Sequence, residues 1–217
     1  MYNENKTLIV NIANQKGGCG KTTTAINLSA ALARRDFKVL VIDLDAQGHA
    51  SLGLNIDTGD LNVSIYDVIV RNVELARVIV PTYQKNLDIA PATSLLTGAQ
   101  LEIADMLGRE GILRGAIYKM LNTTAKSYDF ILMDCSPSLN LLTINGMVAA
   151  HSVLVPIQTH YFSLEGMKEL FTTIDITRTR LNSQLDILGI VATLYDSRTR
   201  MTRDILGQIR EFFKEKV

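Results

Sequence analysis

The 217-residue sequence predicts an α/β fold: a doubly wound, mostly parallel sheet with helices on both faces, in a single domain spanning 7–217. Three observations carry that expectation. Short apolar runs alternate with longer stretches of helical periodicity, the pattern of a parallel sheet covered on both sides. Two of those runs, Val39-Leu40-Val41-Ile42 and Phe130-Ile131-Leu132-Met133, are apolar throughout, as strands buried on both faces require. A glycine-rich segment, Lys16-Gly17-Gly18-Cys19-Gly20-Lys21, stands between the first strand and the first helix.

Taken in order, 1–6 reads as a polar, frayed tail and 7–13 as the first strand. The first helix starts in the glycine-rich segment and runs to about Arg35, with Ile26, Leu28, Ala31 and Leu32 among its apolar positions. Strand 39–42 ends at Asp43-Leu44-Asp45, and 53–63 reads as a loop. Ser64 and Asp67 are spaced as a capping box and open a helix. A second short helix over 73–80 is stopped by Pro81. Strand 87–90 follows, then helices 95–107 and 112–121 separated by Gly108 and Gly111. Strand 130–133 ends at Asp134; helix 139–150, strand 153–156, helix 163–181, strand 187–195 and helix 202–214 complete the chain.

Composition narrows the function. Hydrophobic residues make up 47% of the chain, enough for a sizeable core. Lys+Arg and Asp+Glu both number 22, so net charge by itself argues for no polyanion partner. The two cysteines, Cys19 and Cys135, lie inside apparent motifs, which suits a reducing compartment and no disulfide framework. The N-terminus carries no apolar signal region and no run reaches the ~18 residues of a membrane span. A soluble cytoplasmic protein is the expectation.

Strand, glycine-rich loop and helix form the context of a phosphate-binding loop. Glycines let the backbone approach phosphate oxygens closely, and inward N–H groups at a helix start favour anions. Lys16, Gly17, Gly18, Cys19, Gly20, Lys21, Thr22 and Thr23 are therefore the expected nucleotide contacts. Lys21 is expected to reach the β- and γ-phosphates, and the Thr22 hydroxyl to ligate Mg²⁺. The first glycine of the usual G-x-x-x-x-G-K-[ST] pattern falls at Gln15, and Lys16 follows it. From the start of the loop Lys16 is placed to reach across a subunit interface toward a partner's nucleotide.

Parallel sheets bind ligands at the carboxyl ends of their strands. Asp134, ending a four-residue apolar strand, is expected to organise the Mg²⁺ shell directly or through water. Asp43 is expected on the Mg²⁺ side, and Asp45, farther beyond its strand, to position the attacking water.

These segments resemble the ParA/MinD family of deviant Walker A ATPases, with their K-G-G-x-G-K-[ST] loop. Asp43-x-Asp45-x-Gln47-Gly48 and Asp134-x-x-Pro137-Ser138-Leu139 are similar to its D-x-D-x-Q-G and D-x-x-P-S-L segments. Leu142-Thr143-Ile144-Asn145, Val155-Pro156-Ile157-Gln158 and Leu164-Glu165-Gly166 also resemble the family, and Tyr195-Asp196-Ser197-Arg198-Thr199 resembles its Soj-like partition branch. The resemblance implies a P-loop NTPase with ATP and Mg²⁺ as cofactors. It further implies an ATP-bound homodimer that binds double-stranded DNA without sequence preference, nucleoid-associated in that state, and slow hydrolysis stimulated by a ParB-like adaptor. Arg198, Arg200 and Arg203 are the local concentration of charge available for DNA. The alternative is a MinD-like or cargo-positioning ATPase acting on membrane or through a protein adaptor. The apolar stripe of the last helix is expected to pack on the sheet and not on a membrane. Nitrogenase iron proteins share the loop, but neither cysteine suits an iron–sulfur cluster on an exposed dimer face. Family members continue with a further strand and helix that help enclose the adenine, a segment expected to be missing beyond Val217.

Overall fold

The computed structural model describes residues 7–123, 127–160 and 167–217. The tail 1–6, the Leu164-Glu165-Gly166 segment and the start of the 163–181 helix lie outside the described residues. Seven strands form one sheet: β1 (Leu8–Ile12), β2 (Val39–Leu44), β3 (Val80–Pro81), β4 (Leu87–Ala90), β5 (Phe130–Cys135), β6 (Ser152–Gln158) and β7 (Asp186–Thr193). Their order is β3-β4-β2-β5-β1-β6-β7, and every pairing is parallel except β3 with β4. The fold is the expected α/β doubly wound sheet.

The helices are α1 (Lys21–Ala33), α2 (His49–Gly53), α3 (Ile65–Arg71), α4 (Leu75–Val78), α5 (Leu96–Glu102), α6 (Ile112–Thr123), α7 (Leu141–Ala149), α8 (Met167–Arg180) and α9 (Arg200–Phe213). They cover the sheet unequally. Ala25 and Ala33 of α1 and Ala50 of α2 pack with Val10, Ile12, Val39 and Val41 on one side. The larger core, on the other side, gathers Ile65 and Ile69 of α3, Ile117 of α6, Leu170 and Ile174 of α8, and Ile205 and Ile209 of α9. The apolar stripe of α9 thus packs inward, with Phe213 against Phe171 and only Phe212 largely exposed.

Local chemistry explains most boundaries. Ser64 and Asp67 form the reciprocal cap of α3, and Asn140 caps α7 through Leu142 and Thr143 N–H. Three expectations need correction. The 73–80 helix shrinks to one turn, and Val80–Pro81 instead form an edge strand against Ile89 and Asp88; proline is tolerated at an edge. The 95–107 helix stops at Glu102, and the 53–63 loop is preceded by the short helix α2. Strands β2 and β5 each run two residues past their expected ends, which takes Asp43 and Asp134 into the sheet.

Helix α7 presses Gly146 onto β1. A Cβ there would lie 2.5 Å from Asn11 Oδ1 and 3.3 Å from Leu44 Cδ1. Asn11 Oδ1 is already held, accepting from Cys135 Sγ at 3.0 Å, so it has little room to yield. Gly146→Ala is expected to cost about 1–3 kcal/mol by overpacking, or roughly 2–10 °C in Tm for a domain of this size. Thermal unfolding checks this; an unchanged Tm would show that the α7–β1 contact yields freely.

Candidate nucleotide and metal site

The site forms where β1, β5 and β2 end side by side. Ile12 and Asp43 both pair with Asp134, which sits between them. Directly after β1 the chain turns through 13–20 into α1. Asn14 anchors the turn: Nδ2 donates to Pro156 O at 2.6 Å, and Oδ1 accepts Lys16 N–H at 3.0 Å. Gly18 and Gly20 adopt φ of +69° and +88°, the left-handed region that glycine tolerates best. Gln158 Nε2 donates to Gly18 O at 2.7 Å and Thr193 Oγ1 to Cys19 O at 2.8 Å.

Lys21 is the first residue of α1 and is buried. Its ammonium donates to Lys16 O at 3.0 Å and approaches Cys19 Sγ at 3.8 Å, so it lies folded over its own loop. Burial pushes the Cys19 thiol up, against the opposing pull of Lys21. Cys135 is buried as well, and its thiol is pushed up by desolvation and by Asp134. Gly17 and Gly18 are exposed, and a Cβ at Gly17 would meet nothing within 4 Å. Thr22 is half-buried and Thr23 exposed on the first turn of α1.

The acidic side is more tightly built than the sequence suggests. Asp43 is fully buried; Oδ2 accepts Ser51 N–H at 2.9 Å and Ser51 Oγ–H at 2.7 Å, and Oδ1 accepts Asp45 N–H at 3.1 Å. Ser51 Oγ in turn accepts Ala92 N–H at 3.1 Å. Three of about four acceptor positions on Asp43 are thereby taken within the fold, so its carboxylate ties β2 to α2 and, through Ser51, to the end of β4. Asp134 is the reverse. It is fully buried, and neither carboxylate oxygen completes a hydrogen bond among the described residues. Burial and the Asp43 carboxylate push it up to about 7, against the pull of the nearby Thr22 hydroxyl and Lys21 ammonium. Desolvation pushes Asp43 to about 6. A buried carboxylate with both oxygens unspent, beside a threonine hydroxyl and a lysine, fits a hard, oxygen-seeking cation. Asp45 stands half-exposed at the rim, where Oδ1 accepts Gln47 N–H at 3.0 Å.

These two raised carboxyl groups have a pH consequence. Their protonated forms are favoured by folding, so that stability is fully present below the usual carboxylate value of 3.8 and is lost as pH rises through about 6 to 7. Without nucleotide or metal, Tm is expected to fall between about pH 4 and pH 7, and Asp134→Asn to flatten the fall. A scanning-calorimetry series checks it; identical slopes in the two proteins would contradict the assignment.

The structure thus brings Lys16, the loop glycines, Cys19, Lys21, Thr22, Asp43, Asp45 and Asp134 to one end of the sheet. Arg198, Arg200 and Arg203 lie beyond β7 at the start of α9, all exposed. Two face acids: Arg198 Nε and Nη2 donate to Asp196, and Arg200 lies 3.6 Å from Asp204. Arg203 makes no ion pair among the described residues. Sequence reading assigned no role to Gln158, Thr193, Asn14 or Ser51.

A family model described as an AAA domain matches residues 7–187. The sporulation initiation inhibitor protein Soj of Bacillus subtilis is 40% identical over 209 residues, covering 96% of this chain and 81% of Soj. The chromosome partitioning protein ParA of Myxococcus xanthus is 42% identical over 209 residues, covering 96% and 72%. Among solved structures, a Mycobacterium smegmatis protein described as cobyrinic acid a,c-diamide synthase, with bound ADP and magnesium, aligns at TM-score 0.90 and 36% identity, covering 96% of this chain and 83% of that one. A plasmid partition protein from Borrelia burgdorferi aligns at TM-score 0.81 and 25% identity, covering 97% and 87%. A P-loop fold with this loop and these relatives defines a partition-type ATPase. The chain belongs to the ParA/Soj family within the AAA-domain group.

Proposed function

We propose that this chain is an ATP-driven partition switch for chromosome or plasmid segregation. It binds ATP with Mg²⁺, dimerises in that state, holds non-specific duplex DNA as the dimer, and hydrolyses ATP slowly until a ParB-like partner speeds the reaction. The observation that carries this reading is the buried Asp134 carboxylate, without a hydrogen-bond partner among the described residues, beside Thr22 and Lys21. The ADP, ATP analogue and magnesium bound to the Mycobacterium smegmatis structures support the same ligands here.

In this mechanism loop N–H groups and the Lys21 ammonium hold the β- and γ-phosphates. Thr22 and Asp134 hold Mg²⁺, with Asp43 bracing the carboxylate layer from behind. When bound, Mg²⁺ would supply charge neutralisation on the triphosphate. Asp45 orients the water that attacks the γ-phosphorus as the bond to the β–γ bridging oxygen breaks. Lys16 of a second copy stabilises the charge that develops there. The open space at Gly17 supports close approach of two loops.

DNA contact rests on local charge, because the net charge is zero. With Arg198 and Arg200 paired to acids, Arg203 has the most charge to offer. Each phosphate neutralised adds about 0.9 to the log–log salt slope, so a dimer should bind far more steeply with salt than a monomer. A DNA-coated sensor read with ATP and with ADP at several salt concentrations tests this. ATP-dependent binding weakened more by Arg203→Glu than by Arg198→Glu is expected. No binding by a demonstrably dimeric sample would favour the adaptor or membrane reading. Binding that survives both substitutions would move the DNA face toward Arg178, Arg180 and Arg210.

A further inference from the structure

Phosphate loops work only if their N–H groups point inward. In a planar trans peptide the carbonyl of one residue and the N–H of the next point in opposite directions. Whatever holds the carbonyl outward therefore aims the following N–H. In this loop two carbonyls are held by side chains from distant strands: Gly18 O by Gln158 Nε2 at the end of β6, and Cys19 O by Thr193 Oγ1 at the end of β7. The amides so aimed are those of Cys19 and Gly20. Both peptides flank residues in left-handed glycine geometry, where the backbone has the least intrinsic reason to keep one orientation.

We infer that Gln158 and Thr193 are positioning residues that lock the Gly18–Cys19 and Cys19–Gly20 peptides with their N–H groups toward the phosphates. Their hydrogen bonds prevent peptide flips that would turn a carbonyl dipole onto the triphosphate. Thr193 acts twice: its hydroxyl holds Cys19 O, and its methyl group stands 3.3 Å from where a Gly20 Cβ would be. Its own carbonyl accepts Thr159 N–H at 3.1 Å, so the strut is itself tied across β6 and β7. Because Leu194–Arg198 follows directly, the same hydroxyl links the loop to the chain leading into α9. Asn14 ties the entry of the loop to β6, its side-chain amide donating to Pro156 O at 2.6 Å.

The inference rests on the proposed nucleotide reading, and the test separates the two. Affinity for a non-hydrolysable ATP analogue with Mg²⁺ is measured by calorimetry for wild type, Thr193→Val, Thr193→Ser and Gln158→Leu. One lost hydrogen bond predicts about 5- to 10-fold weaker binding for Thr193→Val and for Gln158→Leu. Thr193→Ser, which keeps the hydroxyl, should bind within about 2-fold of wild type. In ¹H–¹⁵N spectra of the bound state, the Cys19 and Gly20 amides should lose their phosphate-induced downfield shifts in the two weakened variants, and Thr193→Ser should keep them. A merely structural role would lower Tm in Thr193→Val and Gln158→Leu and leave those two shifts in place. Wild type that fails to bind the analogue overturns the nucleotide reading. Wild type that binds, with Thr193→Val and Gln158→Leu binding equally well, overturns this one.

Discussion

Lys21→Ala is expected to lose nucleotide binding, with affinity for an ATP analogue and Mg²⁺ falling by about 100-fold or more. The loop offers backbone N–H groups and one buried cation, and bonds to charged groups carry roughly twice the weight of neutral ones. Lys21 is that cation: its ammonium is within reach of Lys16 O and Cys19 Sγ, at the centre of the loop. Truncation removes a full positive charge that opposes Asp134 from within the site. Calorimetry reads the result directly. Near-normal affinity in Lys21→Ala would refute the phosphate-loop assignment.

Lys16→Gln is expected to bind ATP within about 3-fold of wild type, yet to hydrolyse it about 10³-fold more slowly, the scale set by cationic fingers supplied in trans. The N–H of Lys16 donates to Asn14 and its carbonyl accepts from Lys21, both backbone groups that the exchange retains. Phosphate release under saturating ATP checks the rate. Wild-type turnover in Lys16→Gln would sink the trans role, while lost binding would make Lys16 a contact to its own nucleotide.

What the sequence made legible was local. Lys16 to Thr23 is a contiguous motif, and Asp134 terminates an apolar run; both could be placed without tertiary information. Ser64 and Asp67 announced their cap for the same reason. The unread parts depend on contacts far apart in the chain. Gln158 and Thr193 meet the loop across 140 and 174 residues, and their partners are carbonyl oxygens that every residue has. Nothing in the stretch around Asp43 marks Ser51, eight residues on, as its donor. The strand Val80–Pro81 exists only because β4 offers it an edge, so a β-branched run after α4 read as more helix.

The measurement that tests the central claim most directly is the mass of the wild-type protein by light scattering, with Mg²⁺ and a slowly hydrolysed ATP analogue and again with ADP. The chain has a mass of 24.0 kDa. The account predicts that mass with ADP and twice it with the analogue, and monomer in both for Lys16→Gln. A wild-type protein that binds the analogue tightly and keeps the same mass in both nucleotides would contradict it.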